Sequence, residues 1–264
     1  MPTDVADPAA VAELARRTVE EFGRIDVWVN NAAVGIVAPF METPEEDFRR
    51  LLDVNVMGVV HGTHEALGQM LRQGSGVIVN VSSLLGEIPV PYASAYSMSK
   101  SAVRALGVSV RTELRLAGAT DIHLCSVLPP SIDTPYYRQV ANYTGRQAKP
   151  IPPLYTAERT ARTIVSAVRR PRAEAVVGPT GRVMLTQHRL VPGLMERVMG
   201  AYVARTHLSR RRIPPTTGNL HGDPGVPATV GGGFHGRRRT ARRRVTTAAV
   251  VAAGVAGLLR HPRT

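Results

Sequence analysis

Four stretches of the chain are dominated by apolar residues: 25–29, 77–81, Ile122–Leu128 and a shorter one at 174–178. The run at 77–81 is rich in β-branched residues and ends in Ser82-Ser83. Runs of this kind predict strands buried on both faces, as in a parallel sheet, with polar C-terminal ends. The stretches between them carry helical spacing. Val103, Leu106, Val110 and Leu114 recur at intervals of three and four, which places them on one helix face. Asp7-Pro8 is a helix start with Gly23 as its stop, and Thr43-Pro44-Glu45-Glu46 opens a helical region that runs to Met70. A further helix starts at Thr156 and ends at arginines 169, 170 and 172. The stretch 183–207 is helical, apolar and basic, with a break near Pro192-Gly193. Strands alternating with helices predict an α/β fold.

In open α/β sheets, ligands bind beyond the C-terminal ends of the strands. Here those ends carry Asn30-Asn31-Ala32-Ala33 and Ser82-Ser83. Thirteen residues after Ser83 comes Tyr96, with Lys100 four residues further on at the head of a predicted helix. Positions i and i+4 share a helix face, so phenol and ammonium lie one above the other. A cation beside a tyrosine favours the phenolate. Lowering the phenol by ~3 units from its usual ~10 takes roughly 4 kcal/mol. One lysine supplies part of that and a cationic cofactor ring the rest.

Taken together, these stretches resemble the short-chain dehydrogenases/reductases over about residues 4–180. The matching motifs are Asn30-Asn31-Ala32-Ala33 for the family's NNAG, Asn55 in Asn55-Val56-Met57-Gly58, Ser83, and Tyr96-xxx-Lys100. Leu128-Pro129-Pro130-Ser131-Ile132-Asp133-Thr134-Pro135 is similar to the family's PGxxxT, with Pro130 where glycine is usual, so the turn must differ because proline cannot take positive φ. The resemblance implies a Rossmann-like doubly wound parallel sheet and an oxidoreductase moving hydride between NAD or NADP and a small carbonyl or alcohol substrate. It implies Tyr96 as proton donor or acceptor and Ser83 as hydrogen-bond partner of the substrate oxygen. Lys100 is implied to lower the phenol pKa and hold the nicotinamide ribose, and Asn55 to hold a relay water through its backbone carbonyl. Asp4 and Val5 correspond to the adenine contact, with plain helix capping an equal reading for them. Asn30, Ala32, Ile132 and Thr134 correspond to cofactor contacts, and a homo-oligomer is implied. Glu87 to Tyr92 is expected to border the substrate, with Tyr92 in the wall, and 136–156 to form a lid.

Charge changes the picture only at one end. The net charge is +13, but residues 210–264 hold 11 of the 33 Lys+Arg and one acid, Asp223. Residues 1–209 keep 22 basic and 19 acidic residues and are nearly balanced. The expected organisation is 1–208 as a partial catalytic domain, 209–244 as a disordered Arg/Pro/Gly-rich linker, and 245–264 as a short apolar segment. Residues 231–236 spell GxGxxG, but no strand precedes them, which excludes a nucleotide site. The 15 uncharged residues 245–259 follow two arginine triplets. As a helix they would span ~22 Å, short of a ~30 Å hydrocarbon core. They suit an anionic membrane surface or a plain basic tail. Nucleic acid is disfavoured because no aromatic residues interleave with the arginines. Cys125 is the single cysteine, which excludes an internal disulfide, and it sits in an apolar run where an inert thiol is expected. No signal-peptide pattern is present, so a cytoplasmic location, peripheral to the membrane through the tail, is expected.

Set against the family, Asp4 corresponds to the end of a third strand, and no Gly-rich phosphate-binding turn precedes it. The fold is therefore expected to be N-terminally incomplete, with strand 25–29 as an exposed hydrophobic edge and with weak cofactor binding by the chain as it stands. An inactive fragment acting as a binding or membrane-associated module through its basic tail is the alternative.

Overall fold

The computed structural model describes residues 1–227 and 229–234, with isolated positions 245, 248, 249 and 252. The arginine triplets and nearly all of the apolar run 245–259 lie outside the described residues.

The chain opens with helix α1 (Pro8–Phe22), capped as the sequence predicts: Asp7 accepts from Ala9 N and Gly23 closes the C-terminus at φ 78°. Strand β1 (Val27–Asn30) and a two-residue strand β2 (Ile36–Val37) follow. The long helical region is broken into α2 (Glu45–Leu52), a π-helical turn at Asp53–Met57, and α3 (Gly58–Gln73). Then come β3 (Gly76–Val81), α4 (Ser94–Leu116) and β4 (Ile122–Leu128). Strands β5 (Ser131–Asp133), β6 (Ala141–Asn142), β7 (Arg146–Ala148) and β8 (Leu154–Thr156) are short, with the one-turn helix α5 (Tyr136–Gln139) between β5 and β6. Helix α6 (Ala157–Arg169), β9 (Glu174–Val176), α7 (Pro179–Leu190), α8 (Pro192–Thr206) and β10 (Leu208–Arg212) complete the order.

The main sheet is parallel, in the order β1-β3-β4-β9. Both faces are covered. Ile78 and Leu124 point into a cluster with Ala15, Met70 and Leu114 from α1, α3 and α4. Their neighbours Val79 and Cys125 point the other way, against Ala167 of α6 and Ala175 of β9. This two-sided burial is why both strands are apolar without alternation. Cys125 is fully buried, and burial pushes its thiol above the usual value. Among the described residues β1 stands at the sheet edge, with Val27 and Val29 41% and 39% exposed. Asp4 and Val5 are not a strand end: the backbone there runs straight into a turn.

The expectation of disorder from residue 209 is overturned as far as the described residues go. Strand β10 pairs with β7 from Leu208 to Arg212. Beyond it, Asn142 N donates to Thr216 O at 2.8 Å and Asn219 N to Gln139 O at 2.8 Å. Leu220 is 1% exposed among Val34, Ile36, Leu51 and Ala141, and its carbonyl accepts from Arg50 Nε at 3.0 Å. His221 Nε2 meets the buried Asp47 carboxylate at 2.6 Å, and that carboxylate also accepts from the Tyr143 hydroxyl. Phe234 N donates to Asp133 Oδ1 at 2.9 Å. Proline and glycine here shape turns in a strap tied down by a few long-range contacts, which composition cannot reveal. No helix among the described residues is long and apolar enough to cross a membrane.

A strap that packs makes a measurable difference to stability. Leu220→Ala should cost about 2–4 kcal/mol in urea denaturation, the range for a large-to-small core change. A loss below about 0.5 kcal/mol, the level of an exposed site, would return this stretch to a linker.

Candidate active site

Strands β3 and β4 end side by side. Ser82 N donates to Val127 O at 2.9 Å and Leu84 N to Pro129 O at 2.9 Å. Ser83 stands in extended backbone at the start of a single 3-10 turn, Leu84–Gly86, and its Oγ accepts from Leu85 N at 3.1 Å. The same hydroxyl donates to Pro129 O at 3.4 Å. The serine is thereby held at the C-terminal end of the central strand.

Helix α4 is bolted to this end by side chains. Ser82 Oγ donates to Lys100 O at 2.8 Å, Lys100 Nζ to Val81 O at 2.9 Å, and Ser101 Oγ to Gly86 O at 2.9 Å. Gly86 permits the close approach: a Cβ there would lie 2.7 Å from Lys100 O. Lys100 is 2% exposed, and its Nζ sits 5.6 Å from the centroid of the Tyr96 ring, as the i,i+4 spacing predicts. Burial lowers the Lys100 pKa to about 8.

Tyr96 reverses one expectation. Its ring is half-buried and borders a cavity. Burial, with a smaller contribution from Tyr137, pushes the phenol well above its usual value, and a hydrogen bond with Ser83 pulls only partly back. Desolvation of the anion outweighs the neighbouring lysine, so without further positive charge Tyr96 is a phenol at neutral pH.

Asn55 is fully buried in the π-helical turn, so the expected local distortion of the helix is present. Its side chain is spent on protein. Oδ1 accepts from Val34 N at 2.8 Å, and Nδ2 donates to Val34 O at 2.9 Å and Ser99 Oγ at 3.1 Å. It ties the turn after β1 to α4, one residue before Lys100.

A cavity of about 680 Å³ opens beyond the C-terminal ends of β1, β3 and β4. Ser83, Tyr96, Lys100, Ile132 and Thr134 all line it. From the end of β1, Asn31 and Ala33 line it in place of the expected Asn30 and Ala32. Asn30 instead accepts from Trp28 Nε1 at 2.8 Å and donates to Asn80 Oδ1 at 2.8 Å and Thr63 Oγ1 at 3.1 Å. Successive side chains of an extended segment point to opposite sides, so the motif places every second residue in the site. Asp4 and Val5 are absent from the wall. Asp4 Oδ1 accepts from Ala6 N at 3.0 Å and Oδ2 pairs with Arg50 at 2.9 Å, while the cap of α1 is Asp7. Tyr92 is also outside the wall. It holds a φ of 66°, and its carbonyl accepts from Ala38 N at 3.0 Å.

Other wall residues had no individual sequence signal. Tyr136 lies 6.0 Å from Tyr96 between ring centroids, and Tyr137 follows it edge-on at 5.1 Å. Ile151, His207 and Asn219 complete that side. The aromatic pair falls in the stretch read as a lid, but His207 and Asn219 come from segments that carry no motif. His207 Nδ1 lies 2.6 Å from Lys149 O. A carbonyl only accepts, so Nδ1 carries the proton, and burial holds the imidazole below its usual pKa.

Comparison with known proteins identifies the family. The family model for short chain dehydrogenase matches residues 1–144. An uncharacterized oxidoreductase of Bacillus subtilis, YxnA, is 30% identical over 214 residues, which is 80% of this chain and 60% of that protein. The putative oxidoreductase SadH of Mycobacterium tuberculosis is 32% identical over 209 residues, 76% of this chain and 75% of its own length. Among solved structures, a short chain dehydrogenase/reductase from Burkholderia phymatum in complex with NAD is 26% identical. Its TM-score is 0.64, covering 74% of this chain and 76% of that one. A short-chain dehydrogenase from Streptomyces avermitilis gives 0.62 at 27% identity, covering 73% and 75%.

The burial of Lys100 sets a pH dependence of stability. Its folded pKa lies below the unfolded value of 10.5, so between about pH 8 and 10.5 the unfolded chain holds more protons. Stability relative to Lys100→Met should therefore rise with pH across that window, by roughly 3 kcal/mol in total. Urea denaturation of both proteins from pH 7 to 10 tests it. A flat difference would mean that Lys100 titrates as an exposed lysine does.

Proposed function

The chain belongs to the short-chain dehydrogenase family, and from that membership we propose that it is an NAD- or NADP-dependent oxidoreductase interconverting a carbonyl and an alcohol. The observation that carries the proposal is the convergence of Ser83, Tyr96 and Lys100 on one wall of the cavity.

The cavity suits the nicotinamide half of such a cofactor by its donor set. Lys100 commits one ammonium hydrogen to Val81 O, and an ammonium has three, so donors remain for ribose hydroxyls. Asn31, Ile132 and Thr134 line the adjoining wall and supply polar and apolar contacts to a ring carrying an amide. The bound cofactor supplies or accepts the hydride.

The chain's own residues handle the proton. In the reducing direction Tyr96, protonated at neutral pH, gives its proton to the substrate oxygen as negative charge develops there. Ser83 turns its one hydroxyl hydrogen from Pro129 O to the same oxygen and stabilises that charge. Lys100, a cation below about pH 8, favours the phenolate that remains. Asn55 acts through position, fixing α4 beside the end of β1 by its bonds to Val34 and Ser99.

Tyr96→Phe removes the proton and leaves the ring. Turnover measured by NADH and NADPH oxidation should fall by about 10²–10⁴-fold, the usual worth of a general acid, while cofactor affinity changes little. A variant that keeps near-wild-type turnover would exclude Tyr96 from the proton step.

A further inference from the structure

The cavity wall on the far side of Tyr96 from Lys100 is built from Tyr136, Tyr137, Ile151, Leu85 and Val37. Gln139 and Asn219, which join it, are uncharged amides. Among the described residues Lys100 is the one Lys or Arg in the wall, and Asp and Glu are absent from it. Lys100 is tied to Val81 O and faces the cofactor half in the reading above. His207 offers no cation at neutral pH either, since burial disfavours the imidazolium and outweighs the hydrogen bond to Lys149 O, which favours it.

A second cavity of about 70 Å³ adjoins the first, and Ser83, Leu85, Pro130 and Ile151 line both. Its inner wall is Ile88, Met184 and Met199, each no more than 4% exposed. Its polar side chains are Ser83 and Ser131, and the Ser131 hydroxyl already accepts from Tyr137 at 2.9 Å, so the rest of the space is apolar and suits an apolar group. Methionine side chains adapt to what enters. Because Ser83 belongs to both walls, a group in the second cavity lies within one side chain of the serine assigned to the reacting oxygen.

We infer, resting on the oxidoreductase reading above, that the substrate is an uncharged ketone or secondary alcohol with an apolar body. Its carbonyl carbon lies beside Ser83 and Tyr96, its body lies along Tyr136, Tyr137 and Ile151, and an alkyl end enters the space between Ile88, Met184 and Met199. A carboxylate on that end would lose its water with no cation to meet it, which is the costly case of charge burial.

Binding to the full chain without cofactor tests this separately from turnover. Isothermal titration with 2-heptanone and with 6-oxoheptanoate, which carries a carboxylate at the same end, should show the ketone bound at least about 100-fold tighter. Met199→Trp, which fills the second cavity, should weaken 2-heptanone by about tenfold or more. Met184→Phe provides the same test in case the tryptophan impairs folding, with melting temperature as the control on both. Equal or tighter binding of the carboxylate overturns the inference, as does undiminished ketone binding in a folded, filled variant. Binding of neither compound also overturns it. Selective ketone binding with no NADH or NADPH oxidation supports the cavity assignment and counts against the oxidoreductase reading instead.

Discussion

Everything at the candidate site depends on a primary amine buried at the end of the central strand. Lys100 reaches back across the start of α4 to the carbonyl of Val81, and burial brings its pKa to about 8. Burying such a group is expensive unless its hydrogens are met. The surrounding structure meets one of them at Val81 O and holds the helix that carries the lysine. Ser82 and Ser101 fasten α4 to the residues just after β3, and Gly86 lets the two backbones touch. Asn55 supplies the remaining tie, from the π-helical turn through Ser99. A helix interior that spends side chains on foreign backbone in this way is locally weak. The compensation is tertiary: α4 cannot slide by a turn without leaving several buried groups unpaired.

The same docking explains why the tyrosine is a phenol here. Tyr96 sits one turn before Lys100, but burial removes water from the anion, with the Tyr136 ring 6.0 Å away, and Tyr137 adds a smaller contribution. In a site of this kind desolvation and the lysine act in opposite directions, and the balance is set by what fills the cavity. Positive charge brought in by a bound cofactor ring would add to Lys100 and oppose the desolvation.

The far wall of the cavity is assembled from parts remote in sequence. His207 comes from the end of α8 and Asn219 from the strap beyond β10, both outside the residues matched by the family model. The strap is anchored at Leu220, at the Asp47 carboxylate and at Asp133. The segment beyond the shared core therefore contributes to the far wall of the cavity, while Ser83, Tyr96 and Lys100 belong to the matched portion.

The sequence alone determined the elements whose physics is local or periodic. The apolar runs at β3 and β4, the Asp7-Pro8 cap, the helical spacing after Lys100 and the i,i+4 Tyr-Lys pair all appear in the structure where they were expected, because each rests on neighbours within a few residues. The grouping of Ser83, Tyr96, Lys100, Ile132 and Thr134 was also legible, through the resemblance and the rule that strand ends converge. Three things were decided only by tertiary structure. The choice of Asn31 and Ala33 over Asn30 and Ala32 depends on which way each side chain turns after β1. The direction of the Tyr96 shift depends on burial, to which Tyr137, arriving from forty residues away, adds. The packing of the strap depends on Leu220 finding a gap between Leu51 and Ala141. In each case the deciding contact lies between residues far apart in the chain, and burial, which sets its energy, is a property of the folded arrangement and of no segment by itself.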